Sequence, residues 1–423
     1  MEMRPFGRLI PPLTARRRLL DSTRPVGRVE LCRIEEAFDR VAARSVRALR
    51  PVPAFARATW DGYAVRSRDT ADARPDRPKG FQVVGELYAE SAPAARLGRA
   101  EAVAIATGAP LPPGADGVVI FEEVERLGDR VRLTHPVVPG DRIARPGDDI
   151  PRGAQLVAAG DLLTPVALGA VAAAGLPSVA VFARPIIEVI PNGNELVAPG
   201  GRLRPGAIYE SNNAAIAAIV TAAGGTPRLS PPLPDDPERI ERALRSAVRR
   251  SDLVLATGGS SVGERDHLPR ILPRIGTLLF HGVAVRPGKP TLAARAGGRL
   301  IVGLPGHPTS CLANMLWLVL PVLRRLAHRP GPGWSEEWAT LGADAIAPTP
   351  GFSTVVPLAL RGGRAFSTFH GSSAITSLRG ATAFAILPPG GRTVRAGQRL
   401  RICRLDPPLG AGPAGGTVKS AGR

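Results

Sequence analysis

The sequence predicts a multidomain α/β-plus-β protein, and three observations carry that expectation. From Pro185 to Leu326, strand-like apolar runs alternate with helix-like segments, the pattern of a mostly parallel sheet covered on both faces. On either side of that region, residues 81–133 and the stretch after Gly333 break into short strands separated by Gly, Pro and Asp clusters, which reads as β-rich structure. At 423 residues the chain exceeds one ordinary core, so roughly two to four domains are expected.

In chain order, Ala15 to Leu20 starts a helix, and Val29 to Ala48 reads as an amphipathic helical region with Leu31, Ile34, Ala37, Phe38 and Val41 near helical spacing. Arg50-Pro51-Val52-Pro53 ends it. Thr59-Trp60-Asp61-Gly62-Tyr63 follows, where Asp-Gly between apolar residues is first of all a turn signal. The strands near Gln82, Ala102, Gly117 and Arg130 enclose a proline-rich loop that would fix the Thr107 hydroxyl with little entropy to lose. The adjacent carboxylates Asp148 and Asp149 read alone as a solvated turn or a helix cap. Leu162 to Ala174 is a helix closed by Gly175. Ser211 is expected to cap a helix running to Ala223. Asp236-Pro237-Glu238 opens the next helix with cap, first-position proline and first-turn acid in order. Pro308 to Leu326 is apolar enough to be a buried helix, and the Gly/Ala/Pro-rich tail from Pro407 is expected to be disordered.

The formal net charge of +19 raises nucleic acid as a partner. The basic residues are almost all arginine and spread along the chain, however, so a general compositional bias explains them better than a binding stripe. Only Lys79, Lys289 and Lys419 are lysines. Where arginine is the default, Lys289 inside Pro-Gly-Lys-Pro suggests a site wanting a compact ammonium. Cys32, Cys311 and Cys403 lie far apart and match neither a metal-ligand spacing nor a disulfide framework, which fits a reducing, cytoplasmic setting. No apolar stretch is long enough to span a bilayer.

The chemistry gathers between Leu253 and Ser310. The run Leu253 to Ala256 feeds Thr257-Gly258-Gly259-Ser260-Ser261-Val262-Gly263, with Glu264 and Asp266 just beyond. Arg286-Pro287-Gly288-Lys289-Pro290 and Gly303-Leu304-Pro305-Gly306-His307-Pro308-Thr309-Ser310 follow. All three loops should collect at the carboxyl ends of the strands, where open α/β sheets bind ligands. Glycine lets backbone N–H groups approach phosphate oxygens and lysine adds a mobile charge, so the expected ligand bears a phosphate.

Taken together, the motifs resemble the MoeA-type molybdopterin molybdenumtransferases, the family that includes the corresponding domain of gephyrin. The matching elements are Asp61-Gly62-Tyr63-Ala64, Ala106-Thr107-Gly108-Ala109-Pro110, Pro113-Gly114-Ala115-Asp116, Gly147-Asp148-Asp149-Ile150 and Gly193-Asn194-Glu195-Leu196, then Ile208-Tyr209-Glu210-Ser211-Asn212 and the three loops above, the second preceded by Phe280-His281-Gly282. Each is weak alone, but the ordered set is specific. The resemblance implies a helical linker region (1–50 and 150–182), an inserted β-rich domain (51–149), a molybdopterin-binding α/β/α domain with a parallel-type sheet (183–330), a C-terminal β-barrel (331–407) and a tail (408–423). It also implies a homodimer whose active site lies between the α/β domain of one subunit and the inserted domain of the other.

The implied reaction inserts molybdate into adenylylated molybdopterin, cleaving the adenylate, with a divalent cation such as magnesium assisting. Asp61, Thr107, Asp149, Glu195 and Lys289 would be catalytic. Gly258, Gly259, Ser260, Ser261, Gly263, Arg286, Lys289, Pro305, Gly306 and Ser310 would bind the pterin phosphate or the oxyanion. Asp266 with Asp236, or with its neighbour Asp235, would hold magnesium. A molybdopterin adenylyltransferase and downstream molybdoenzymes are the implied protein partners, with no membrane and no specific nucleic acid. Three positions depart from the family pattern: Asn194 replaces an acid, His307 replaces an asparagine, and Arg286 stands for the first of two lysines. A scaffold that binds molybdopterin with reduced catalysis, or a tungsten-preferring homologue, is the alternative.

Overall fold

The computed structural model describes residues 8–92, 95–261, 266–343 and 345–406, so the expected tail from Pro407 and the glycine at 263 lie outside the described residues. The chain forms two compact units, residues 31–181 and residues 1–30 with 182–423. None of the described helices is long and apolar enough to cross a membrane.

The unit of residues 31–181 contains a six-stranded mixed sheet ordered Gly117–Ile120, Gly62–Val65, Glu101–Ile105, Lys79–Leu87, Arg130–Leu133 and Val124–Leu127. Alternation along the strands divides the apolar side chains between two cores. Ala64, Val103 and Val118 face one, while Tyr63, Val65, Ala102 and Val119 face the other, as a period of two requires. Asp61-Gly62 is therefore not a hairpin turn but the entrance to a central strand. Elsewhere in this unit, Cys32, Ala37, Ala42, Leu163, Val171 and Val179 pack around the helix Pro165–Ala173, which Thr164 caps through the Ala167 N–H.

The helix expected over Val29 to Ala48 does not form. The chain instead makes a strand Val29–Arg33 and one 3-10 turn Ile34–Glu36, then passes through Asp39 at φ 62°, a conformation that ends any helix. Its backbone donors are satisfied at long range: the Ala42 N–H donates to the Asp161 carbonyl and the Ala43 N–H to that of Ala180. Leu31 and Phe38, which the helical spacing would bury, are 75% and 59% exposed. Tertiary pairing overrides the local pattern here.

The other unit is built on a six-stranded sheet ordered Thr226–Leu229, Ile186–Pro191, Leu253–Thr257, Arg299–Leu304, Leu292–Ala296 and Thr277–His281. The first four strands are parallel neighbours, and Leu292–Ala296 runs against both of its own. Leu253, Leu255, Leu300 and Val302 point toward the helices Pro12–Asp21, Asn212–Ala222 and the run Pro308–Leu326. Val254, Ala256 and Ile301 point toward Pro237–Arg250 and Leu268–Ile275. Both faces are thus covered, which explains why these strands read as continuous apolar runs. Beyond Gly333, the strands Trp334–Leu341, Ser353–Arg361, Arg364–Ser367, Ala383–Leu387 and Arg399–Leu405 pair in series, and a pairing of Ser353–Arg361 with Ala383–Leu387 returns the series onto itself. Trp334, Val355, Phe384 and Leu405 from these strands join the α/β core.

Candidate active site

Two of the three loops meet at the carboxyl ends of the parallel strands, and the third, Arg286 to Pro290, leads into Leu292, which pairs with Gly303 at the same edge. The Leu253–Thr257 strand opens into Gly258 and Gly259 at φ 83° and 58°. A Cβ on Gly258 would lie 2.3 Å from the Asn192 carbonyl oxygen, so glycine is required both by φ and by space. The Gly258 N–H donates to the Leu304 carbonyl, and a Cβ on Gly306 would lie 3.6 Å from the Gly258 Cα, so the second loop lies against the first. Asn192, itself buried, sits beneath this turn with its backbone N–H on the Thr257 carbonyl; its side-chain amide is assigned the orientation in which the nitrogen donates to the Thr257 and Gly258 carbonyls.

Ser260 is buried and Ser261 half-buried beside the His281 imidazole, which ends the Thr277–His281 strand. Burial holds the His281 pKa below its ordinary value, against the opposing pull of the Ser260 and Ser261 backbone and the Asp266 charge. Ser260, Ser261, His281 and Asp266 therefore share one microenvironment. Pro305 is buried while Gly306 and His307 are exposed, and Ser310 is buried in the first turn of the helix Pro308–Asn314.

Arg286 lies at an exposed position with its guanidinium over the Phe352 ring, 4.8 Å from the centroid. Lys289 is half-buried in the same loop, and its carbonyl accepts from the N–H groups of Val283 and Thr291.

The acidic residues divide by what already occupies them. The Asp236 carboxylate caps its helix, accepting from the Glu238 and Arg239 N–H groups at 2.9 and 3.1 Å. Those donors, with the Arg239 charge, hold its pKa below the usual range against desolvation. Asp235 instead uses one oxygen on the Asn194 N–H at 3.3 Å, while its own N–H donates to the Asn194 side-chain oxygen at 3.1 Å. Asn194, where the family pattern has an acid, thus staples the Gly193–Glu195 loop to Asp235. Glu195 is exposed, its carboxylate folded back over Gly193. No group of three His, Cys, Asp or Glu placed to hold a metal occurs among the described residues. Magnesium is commonly held through one or two carboxylates with water and substrate phosphate in the remaining positions, and of the two neighbours Asp235 has the less occupied carboxylate, since Asp236 is taken up by its helix cap and by Arg239.

Asp61, Thr107 and Asp149 belong to the other unit. There the Asp61 carboxylate accepts from the Thr107 N–H at 2.6 Å, and that hydrogen bond, reinforced by the Thr107 hydroxyl, lowers its pKa. Asp149 is exposed with its N–H on the Val52 carbonyl, while the adjacent Asp148 closes its own turn on the Arg145 N–H. The segment from Val52 to Asp61 links the two loops, since Ala58 exchanges hydrogen bonds with Gly108 and Ala109 while Arg57 and Ala58 pair with Ala144 and Ile143.

Two residues at the ligand edge have no counterpart in the expected site. Glu210, only 4% exposed, and not Ser211, caps the helix Asn212–Ala222, accepting from the Asn212 and Asn213 N–H groups. Desolvation nevertheless leaves its pKa raised. Asn212 then reaches across to donate to the Gly306 carbonyl at 2.9 Å. Glutamate is an unusual cap, so composition does not flag Glu210. The second, Asn314, carries a signal in sequence as the one amide within the apolar run Cys311 to Leu320.

Comparison with known proteins covers almost the whole chain. Residues 10–175 match the MoeA N-terminal region (domains I and II), residues 188–325 a probable molybdopterin binding domain, and residues 341–404 the MoeA C-terminal region (domain IV). The molybdopterin molybdenumtransferase of Bacillus subtilis is 34% identical over 386 residues, covering 89% of this chain and 90% of that protein. Molybdopterin molybdenumtransferase 2 of Mycobacterium tuberculosis is 32% identical over 344 residues, covering 74% and 84%. A molybdopterin biosynthesis MoeA structure from Pyrococcus horikoshii superposes with a TM-score of 0.82 at 34% identity, covering 94% of this chain and 99% of that one. A second such structure gives 0.78 at 28% identity.

Proposed function

The chain belongs to the MoeA family of molybdopterin molybdenumtransferases, enzymes of molybdenum cofactor biosynthesis, and from that premise we propose that it transfers molybdenum from molybdate to adenylylated molybdopterin with release of AMP. The observation that carries this reading is the meeting of the Gly258 and Gly306 loops at the carboxyl edge of the parallel sheet, with the Lys289 loop entering the sheet at that edge through Leu292, within the stretch similar to the molybdopterin binding domain.

In this reading Gly258, Gly259, Ser260, Ser261, Pro305, Gly306 and Ser310 cradle the pterin and its phosphate, with Gly263 on the same loop. Arg286 and Lys289 offset the charge of phosphate and oxyanion. A guanidinium already stacked on Phe352 suits a fixed contact, and a lysine suits a mobile one. Asp235 and Asp266 hold magnesium together with substrate phosphate. When bound, magnesium would supply charge stabilisation to the departing phosphate oxygens. Glu195 orients water, and phosphoanhydride cleavage then depends mainly on positioning and electrostatics.

Asp61, Thr107 and Asp149 complete the site from a second subunit of a homodimer, and the strands after Gly333 form the family's C-terminal barrel, a reading supported by their self-closing pairing. A cytoplasmic setting fits Cys32, Cys311 and Cys403, none of which forms a disulfide.

The test is molybdenum transfer from purified components, read as AMP release and as activation of an apo-molybdoenzyme. Asp61→Ala and Lys289→Ala should each lose about 100- to 1,000-fold in rate. Mixing the two inactive variants should restore activity, because a mixed dimer holds one intact composite site. Unmodified rates in either single variant would overturn the site map, and no recovery on mixing would overturn the composite site.

A further inference from the structure

Behind the Lys289 loop lies a polar network that the reaction scheme does not use. Asn314 is fully buried at the end of the helix Pro308–Asn314, immediately before one turn of π-helix, Met315–Val319. Its amide nitrogen donates to the Gly288 carbonyl at 2.9 Å and to the Thr291 hydroxyl at 2.5 Å. The Thr291 hydroxyl donates in turn to the same Gly288 carbonyl at 2.9 Å. The Asn314 amide oxygen accepts from the Trp317 indole N–H at 2.7 Å. Gly288 stands at φ 111°, and a Cβ there would lie 2.3 Å from the Asn314 amide, so the loop backbone is pressed onto this side chain.

A buried amide in an otherwise apolar helix is costly unless its hydrogen bonds are made, and π-turns within α-helices recur at functional sites. Here every side-chain bond made by Asn314 goes to the residues flanking Lys289 or to Trp317, which orients the amide. The Lys289 carbonyl is pinned on the other side by the Val283 and Thr291 N–H groups. The same helix begins at the Gly306 loop and contains Ser310. The network thus fixes the lysine's backbone relative to the helix that carries the opposite wall of the ligand edge.

We propose that Asn314 is a positioning residue for molybdenum transfer, acting through Thr291 and Gly288 to set where the Lys289 ammonium meets its anionic ligand, with Trp317 locking the Asn314 amide orientation. This rests on the reading of Lys289 as a ligand-facing residue. Displacement of a catalytic group by about 1 Å costs on the order of 100-fold. Asn314→Ala is therefore expected to lower the transfer rate by about 10- to 100-fold, and the milder Thr291→Val and Trp317→Phe to lower it less.

Because the chain has only three lysines, Lys289 can be followed directly. The full-length protein is treated with a small acylating reagent and the labelling rates of Lys289 and Lys79 are read by peptide mass spectrometry. Thr291→Val and Asn314→Ala should change the Lys289 rate severalfold and leave Lys79 unchanged. In a double-mutant cycle, Thr291→Val should lose its effect on transfer once Lys289 is alanine, since its action passes through that side chain. An unchanged Lys289 labelling rate in folded Thr291→Val and Asn314→Ala proteins would overturn the proposal, as would a Thr291→Val loss that persists in full without Lys289. Altered labelling with undiminished transfer would overturn the proposal by removing the reading of Lys289 on which it rests, since the network would then position a side chain that transfer does not need.

Discussion

The two ends of one sheet treat buried carboxylates in opposite ways. At the amino end, Asp252 immediately precedes the Leu253–Thr257 strand with its side chain 2% exposed. It accepts from both terminal guanidinium nitrogens of Arg28 at 3.0 and 2.7 Å and from the Ile186 N–H at 2.9 Å, and it forms an ion pair with Arg299 at 3.2 Å. Burial alone would raise its pKa, but these donors and charges together lower it. Glu188 nearby is buried likewise and pairs with Arg250 and Ser230. At the carboxyl end, Glu210 is equally buried yet receives only backbone N–H groups, and burial wins. One end spends its charges on holding the fold together, while the other keeps a poorly neutralised carboxylate beside the ligand loops, where perturbed groups concentrate.

The largest effect should come from stripping the amino end. Arg28→Ala with Arg299→Ala leaves Asp252 buried without a cation, which costs about 3–5 kcal/mol. Denaturant unfolding should show that loss, whereas transfer per folded molecule should hold. Adding Asp252→Asn should recover part of the stability. If the arginine pair changed the rate of the folded fraction instead, the division between the two ends would fail.

Next come the opposite pH dependences. A carboxylate with a depressed folded pKa stabilises above its unfolded value of about 3.9 and loses that contribution as pH falls through the folded pKa. Asp252 therefore contributes at neutral pH and gives way in acid, so Asp252→Asn should flatten the melting temperature below about pH 4. Glu210 has the reverse sign. Its contribution is complete below about pH 4.3 and is lost as pH rises through its raised folded pKa. Glu210→Gln, which keeps an acceptor for Asn212 and Asn213, should melt higher than the parent at pH 7 but not at pH 4, with slower transfer. A parallel shift of both variants at every pH would erase the contrast.

How legible these features are from sequence follows from the range of the interactions that create them. The central strands and their covering helices are readable because burial on both faces leaves unbroken apolar runs, and the glycine loops because only glycine tolerates φ 83° at Gly258 against the Asn192 carbonyl. Val29 to Ala48 misleads because Ala37 and Val41, four residues apart, are both buried while the backbone bonds run to Asp161 and Ala180. Glu210 and His281 are ordinary residues in the chain, and Asn314 is marked only as the one amide in an apolar run. Their significance comes from desolvation and from partners up to 94 residues away, as when Asn212 meets Gly306.

The smallest expected effect tests the carboxyl end itself. Asn194 and Asp235 hold each other through reciprocal backbone-to-side-chain bonds. Asn194→Asp keeps the oxygen that accepts from the Asp235 N–H and adds one exposed charge beside the carboxylate proposed to hold magnesium. Exposed charge pairs are worth at most about 1 kcal/mol, so magnesium binding in the presence of substrate should tighten by no more than about fivefold. Calorimetric titration should register that gain at low ionic strength and lose most of it in salt, where exposed charges are screened. No change at low salt would move the cation away from Asp235. A far larger gain would mean that the Asn194 position is a direct ligand, and that this chain's departure from the family pattern has weakened its metal site.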